Sequence, residues 1–277
     1  MSWDHQLRRS LLAVTLLSGC GSTLARGAEP VRILAAGSLG AVLPKLIAAS
    51  GLPPDAVAAP VFGPAGVLRD RLLAGEPADL FASADMTGPK AVADAAKAGH
   101  PLVVPFARNR MCVLAPERLG LTAPTLLDRL LAPEFRLAVS TPGADRGGDY
   151  ARAVFGRADA IHPGADAALT AKAERLLGGP GSMTPQPGKS PAATIFLADR
   201  ADGLLYYCSG TASAAREVPG LVSVPVPETL EVGPVYGLAI LSDWPEAARL
   251  ALFMLSEAGQ KILSDGGLLP LIDARTH

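Results

Sequence analysis

The chain has 277 residues, of which 49% are hydrophobic and 18% charged, and its formal net charge is −1. This composition is that of a globular protein of one large or two medium domains, because disordered chains combine low hydrophobicity with high charge. A nearly neutral chain with 5% aromatic residues also argues against nucleic-acid binding, which needs a basic surface or stacking platforms.

The N-terminus has the pattern of an export signal. Arg8 and Arg9 precede an apolar run at 11–17, which is too short to span a bilayer. No later apolar run is long enough to do so either. The pattern predicts an exported protein in the periplasm or on the cell surface.

The signal ends at a cysteine. The sequence LSGC at 17–20 resembles the lipobox of bacterial lipoproteins, in which the cysteine is acylated and becomes the first residue. We therefore interpret residues 1–30 as a lipoprotein signal and linker, with Cys20 lipidated and the membrane contacted through this anchor only. The alternative is ordinary signal cleavage after Gly27 or Ala28, which leaves no anchor.

Short apolar runs alternate with helical patterns along the rest of the chain. The predicted strands lie at 31–36, 57–62, 78–83, 111–114, 136–140, 203–208, 222–226 and 235–241. The predicted helices lie at 39–49, with Ser38 as N-cap, and at 67–74, 86–98, 125–131, 191–201 and 245–263, while another helix opens at 149–155. This alternation predicts an α/β fold with mainly parallel sheets flanked by helices.

Three of these strands lead into a helix through a turn of small residues, at Ser38, at 64–66 and at 147–149. A helix start presents free backbone N–H groups and the positive end of the helix dipole. If the three turns converge, they form an anion site without a metal or a lysine.

Three cysteines are present, Cys20, Cys112 and Cys208. If Cys20 is acylated, two thiols remain in an oxidising compartment, which favours a disulfide between Cys112 and Cys208. The alternative is two buried free thiols that pack as small hydrophobic groups.

Several segments together resemble the periplasmic molybdate-binding proteins of ABC transporters. The segments are AAGSL at 35–39, GEPADLFASAD at 75–85, GLLY at 203–206 and YG at 236–237, and their order matches over about 31–270. The resemblance implies a two-lobed type 2 periplasmic-binding fold with two crossing strands as hinge. It places lobe one at 31–106 and 226–277 and lobe two at 107–225. It also implies a monomer that closes on a tetrahedral oxyanion, molybdate or tungstate, and delivers it to an ABC transporter permease.

The resemblance also assigns ligand contacts. Ser38 matches a hydroxyl donor, Gly147 a backbone donor, and Tyr206 a phenol donor, with Tyr207 as the alternative if the register slips by one. Pro191 falls on a backbone-donor position but has no N–H, so Ser190 is the expected substitute.

The second turn departs from the family pattern. It lacks the usual serine, which leaves the backbone N–H groups of Ala65, Gly66 and Val67. Asp145 and Asp149 stand beside the third turn, where a carboxylate repels a dianion unless it faces away or caps the helix. These departures leave open another small anion or a metal chelate as ligand.

Other classes of function find little support. The segment at 181–190 lacks the glycine spacing of a phosphate-binding loop. The four histidines form no pair with metal-ligand spacing, and no G-x-S-x-G elbow is present. We therefore expect no catalytic residues, no metal site and no cofactor, with an enzyme on the same fold as a remaining alternative.

Overall fold

The computed structural model describes residues 29–96 and 101–271. Most of the signal and linker, including Cys20, lies outside the described residues, so the lipidation prediction is not addressed by the structure. Within the described ranges, no helix combines the length and the apolar character needed to cross a bilayer.

Ten strands in the described residues form two sheets of five, one in each lobe. Lobe one contains β1 (Ile33–Ala36), β2 (Val61–Gly63), β3 (Leu80–Ser83), β4 (Leu102–Arg108) and β10 (Val235–Ile240). Lobe two contains β5 (Met111–Pro116), β6 (Leu137–Ser140), β7 (Glu174–Leu177), β8 (Gly203–Tyr207) and β9 (Leu221–Pro225).

The two sheets repeat one topology. In lobe one the order is β2-β1-β3-β10-β4, with β10 antiparallel to both of its neighbours, so the other four strands run in one direction. In lobe two the order is β7-β6-β8-β5-β9, with β5 as the antiparallel member. The central strands β1, β3 and β6 are buried at every residue, as expected where helices cover both faces of a sheet.

Ten α-helices surround the sheets in the described ranges. They are α1 (Leu43–Ala49), α2 (Ala65–Leu73), α3 (Thr87–Ala95), α4 (Leu126–Leu131), α5 (Arg146–Ile161), α6 (Ala165–Lys172), α7 (Pro191–Leu197), α8 (Cys208–Glu217), α9 (Pro245–Leu255) and α10 (Glu257–Asp265).

Two predicted helices differ from the structure. The prediction of a helix from 39 with Ser38 as its N-cap is wrong, because Gly37–Leu39 forms a 3₁₀ turn and α1 begins at Leu43. Pro44 then falls in the first helical turn, where its missing N–H is tolerated. The long helix predicted at 245–263 is broken at Ser256, whose hydroxyl accepts a hydrogen bond from the Gly259 N–H and caps α10.

The chain passes between the lobes twice. It crosses at Asn109 and Arg110 between β4 and β5, and returns through 226–234 between β9 and β10. Strand β4 extends to Arg108, two residues beyond the predicted end of the first segment of lobe one. Beside the first crossing, Cys112 and Cys208 are joined by a disulfide of S–S length 2.05 Å, which ties β5 to the start of α8.

Candidate functional site

A cavity of about 660 Å³ lies between the two lobes at the C-terminal ends of their parallel strands. This edge is where open α/β sheets bind ligands. Its walls include Ser38, Phe62, Pro64 and Val67 from lobe one, and Asp145, Leu177, Met183 and Tyr206 from lobe two.

The carboxyl of Asp145 stands at the start of α5 and in the cavity wall. Its Oδ1 accepts a hydrogen bond from the Gly147 N–H at 3.1 Å, so Asp145 is the N-cap of this helix. Burial raises the pKa of Asp145, and the Gly147 N–H offsets part of that shift. The expectation that Gly147 offers its N–H to a ligand is not met in this structure, because the chain's own carboxylate uses it.

Gly147 has a packing role instead. A Cβ at this position would lie 3.0 Å from the Tyr206 ring, and one at Gly210 would lie 2.7 Å from the same ring. Two glycines therefore make room for Tyr206, which lines the cavity.

The start of α2 is also occupied. The Gly66 N–H donates to the Ala144 carbonyl of lobe two at 3.0 Å. Ala65 is 2% exposed, and neither residue is part of the cavity wall, which their neighbours Pro64 and Val67 form. In this structure the Gly66 N–H is therefore used where the lobes meet, and its role as a ligand donor stays a prediction.

Ser38 lines the cavity and begins a buried chain of hydrogen bonds. Its hydroxyl lies 3.0 Å from the Tyr236 hydroxyl, and that hydroxyl accepts a hydrogen bond from the Asn109 amide at 3.1 Å. The same amide donates to the Ser209 hydroxyl at 2.8 Å. Because Asn109 lies in the crossing segment, this chain links a cavity wall of lobe one to α8 of lobe two.

All four tyrosines of the chain lie together, and one of them, Tyr206, lines the cavity. Tyr207 is 1% exposed and has no hydrogen-bond partner for its hydroxyl within the described chain. Its ring lies 5.0 Å from Tyr206, 5.8 Å from Tyr236 and 6.1 Å from Tyr150, in edge-to-face arrangements. Of the two adjacent candidates, Tyr206 therefore faces the cavity and Tyr207 belongs to the core; burial raises the pKa of both hydroxyls.

Two polar contacts join the lobes beside the cavity, one made by Arg146 and the other by Tyr150. Arg146 Nε lies 2.5 Å from Asp85 Oδ2 across the lobes, and its Nη1 lies 2.6 Å from Asp149 Oδ2. The Tyr150 hydroxyl donates to the Ala84 carbonyl at 3.3 Å. Asp149 is thus offset by Arg146, whereas Asp145 lines the cavity.

Ser190 has a different role from the predicted one. Its hydroxyl accepts from the Ala193 N–H at 3.2 Å, and its own N–H donates to Glu217 at 2.7 Å, so it caps α7. Pro191 reaches the cavity wall and Ser190 does not. Within the described ranges, no group of three or more His, Cys, Asp or Glu side chains is placed to hold a metal ion.

Residues 31–269 match the family described as bacterial extracellular solute-binding protein. The chain belongs to this family. An uncharacterized protein of Pasteurella multocida (strain Pm70) is 37% identical over 211 residues, which are 76% of this chain and 86% of that protein.

Solved structures show the same fold at low sequence identity. The periplasmic molybdate-binding protein of Azotobacter vinelandii has a TM-score of 0.65 at 17% identity, covering 86% of this chain and 98% of its own. The sulfate-binding protein SubI of Mycobacterium tuberculosis H37Rv has a TM-score of 0.65 at 16% identity, covering 88% of each chain. Peb3 of Campylobacter jejuni has a TM-score of 0.63 at 14% identity, covering 86% of this chain and 99% of its own.

Three residues around the cavity of this solute-binding protein were not predicted as part of its site. Asn109 and Tyr236 carry the buried hydrogen-bond chain, and Asp85 reaches across the lobes to Arg146. The available signal for the first was an asparagine between Arg108 and Arg110, just before the predicted strand at 111–114. Nothing in the sequence pairs Asp85 with Arg146, because 61 positions separate them.

Proposed function

We propose that this protein is the extracytoplasmic receptor of an ABC importer and carries a small organic solute in the cavity between its lobes. The family supports the solute-binding role. The single observation that carries the choice of solute is the cavity itself, which is formed by both lobes and has a carboxylate in its wall.

The size of the cavity favours an organic cargo. A volume of about 660 Å³ lies within the roughly 300–1,000 Å³ of sites that bind drug-sized molecules. Much of the wall is apolar or glycine, which suits a carbon skeleton. A solved structure of PEB3 with bound L-phospholactate shows that another protein of this fold holds a small organic molecule.

A tetrahedral oxyanion, molybdate or tungstate, is the second candidate. The fold shared with the Azotobacter vinelandii molybdate-binding protein favours it, as do Ser38 and Tyr206 in the cavity wall. Against it, the N–H groups of Gly66 and Gly147 already have partners within the chain. Asp145 caps α5 but also lines the cavity, so its carboxylate repels a dianion bound there.

Mass spectrometry of the protein purified from its host under native conditions tests the proposal, together with thermal shift assays. We expect an organic molecule to be retained, and its addition to raise the melting temperature, because a ligand that binds only the folded state stabilises it. Molybdate and tungstate serve as the comparison. Stabilisation by these anions alone, with no organic molecule retained, would contradict the proposal.

Delivery of the cargo follows from the two crossings between the lobes. We propose that the lobes open about Asn109 and the 226–234 segment, as in hinge-bending proteins, and that a permease receives the solute from a monomer. We also propose that Cys20 anchors the protein to the membrane. The exported Cys20→Ala variant is then expected in the soluble fraction, and its retention on the membrane would refute the anchor.

A further inference from the structure

We infer that the cargo is a small organic cation whose charged nitrogen group pairs with the carboxylate of Asp145, which makes Asp145 the specificity-determining residue of the site. This inference rests on the proposed function and names the chemical class of its solute.

The charge of the cavity wall is the first argument. Among the described residues that line the cavity, Asp145 is the single Asp, Glu, Lys or Arg. The neighbouring guanidinium of Arg146 is not part of the wall and is held by Asp85 and Asp149 at 2.5 and 2.6 Å. The start of α5 therefore has three carboxyl groups around one guanidinium, and the one that lines the cavity, Asp145, favours a positive ligand group over an anion.

The missing counter-charge of Asp145 is the second argument. Oδ1 accepts the Gly147 N–H, the Ser140 hydroxyl lowers the pKa of the carboxyl, and no Lys or Arg side chain of the described residues forms an ion pair with Asp145. A carboxylate that is partly removed from water is costly unless a charge of the opposite sign pairs with it. An ammonium or amidinium group of the ligand would supply both the donor and the opposite charge.

The rest of the wall describes the remainder of the cargo. Phe62 and Val67 are 38% and 40% exposed, and both line the cavity. Leu177 and Met183 stand on the wall of lobe two. Covering these groups with an apolar ligand body stabilises the complex, at about 25 cal/mol for each Å² of apolar surface removed from water.

Asp145→Asn tests the inference without removing the helix cap, because Asn caps helices about as well as Asp. Putrescine, choline and thiamin are the cationic probes, and citrate, phosphate and molybdate are the anionic ones. The full mature chain is titrated with each probe by calorimetry. The matched control is Asp128→Asn, which removes one exposed carboxylate of lobe two outside the cavity wall.

We expect at least one cationic probe to bind, and Asp145→Asn to weaken it by roughly 10- to 100-fold, as for the loss of a hydrogen bond between charged groups. Asp128→Asn should leave that affinity unchanged. Equal affinity in the wild type and Asp145→Asn, or failure of every cationic probe to bind, would overturn the inference. Binding of citrate without any cation would overturn it while leaving the organic-solute proposal intact, whereas binding of molybdate alone would overturn both.

Discussion

The guanidinium of Arg146, at the start of α5, lies 2.5 Å from the carboxylate of Asp85, at the end of β3, and this ion pair joins the two lobes. The two side chains are 14% and 9% exposed. Asp85 is fixed in place by hydrogen bonds from the Ser83 hydroxyl and the Gly88 N–H, each of 3.0 Å. The pair therefore stabilises the closed arrangement seen here, and it is absent once the lobes part.

Arg146→Met is expected to shift the protein towards an open form. Breaking a buried ion pair leaves an uncompensated carboxylate, at a cost of about 3–5 kcal/mol. That cost falls on the closed state, because water solvates Asp85 in the open one. Small-angle X-ray scattering should show a larger radius of gyration. The control is Arg152→Gln, which removes the exposed ion pair Arg152–Asp166. A radius of gyration that is unchanged in Arg146→Met but changed in Arg152→Gln would show that the Arg146–Asp85 pair does not hold the lobes closed.

Gly66→Ala should prevent the lobes from closing fully. A Cβ at this position would lie 2.2 Å from the Gly143 carbonyl oxygen and 2.8 Å from that of Ala144, both in lobe two. The clash exists between the lobes and not within lobe one, so we expect weaker ligand binding with little loss of thermal stability. Gly156→Ala is the control, because a Cβ there meets nothing within 4 Å. Ligand affinity equal to that of the wild type would show that closure does not require this contact.

Ser38→Ala and Tyr206→Phe are each expected to weaken binding of the retained solute by about 1–3 kcal/mol, through loss of a hydrogen bond. Tyr207→Phe is the matched control, because its hydroxyl is buried without a partner and its removal should leave affinity unchanged. Isothermal calorimetry measures the affinity of each of the three variants for the solute. If Tyr207→Phe weakens binding and Tyr206→Phe does not, the assignment of the two tyrosines is reversed.

Reduction of the Cys112–Cys208 disulfide should lower the free energy of unfolding. The cysteines are 96 positions apart, and closing a loop of that length is worth about 4–5 kcal/mol in the chain-entropy account. Chemical denaturation of wild type and of the double variant Cys112→Ser, Cys208→Ser measures the effect. Mass spectrometry with and without reductant checks the bond itself, and labelling of both thiols without reductant would disprove it.

The buried carboxyl of Asp145 predicts a pH dependence of folding. Its pKa is raised above the ordinary value of 3.8 mainly by burial, which the Gly147 N–H and the Ser140 hydroxyl oppose; Asp149 adds to the shift and Arg146 reduces it. The folded state therefore binds more protons than the unfolded one between the two pKa values, and the free energy of unfolding falls as pH rises through that window. Denaturation of wild type and Asp145→Asn across pH 3–8 should show wild type losing stability relative to the variant as pH rises. Parallel curves would contradict this account.

Much of the architecture was predictable from residues close together in the chain. The apolar runs that became β1, β3 and β6 are strands buried on both faces, and such runs are recognisable without a structure. The sequence did not indicate β4 or β7. Strand β7 begins with Glu174 and Arg175, which are exposed at the sheet edge and interrupt any apolar run.

The sequence by itself determined the alternation of strands and helices and the small-residue turns that lead into the starts of α2 and α5. Only the tertiary structure decided what those helix starts bind. The Gly66 N–H meets Ala144 and the Gly147 N–H meets Asp145 because the lobes close on each other and because α5 begins with its own carboxylate cap. A backbone donor is the same in every sequence, so whether it is free for a ligand depends on which distant group folding brings within about 3 Å of it.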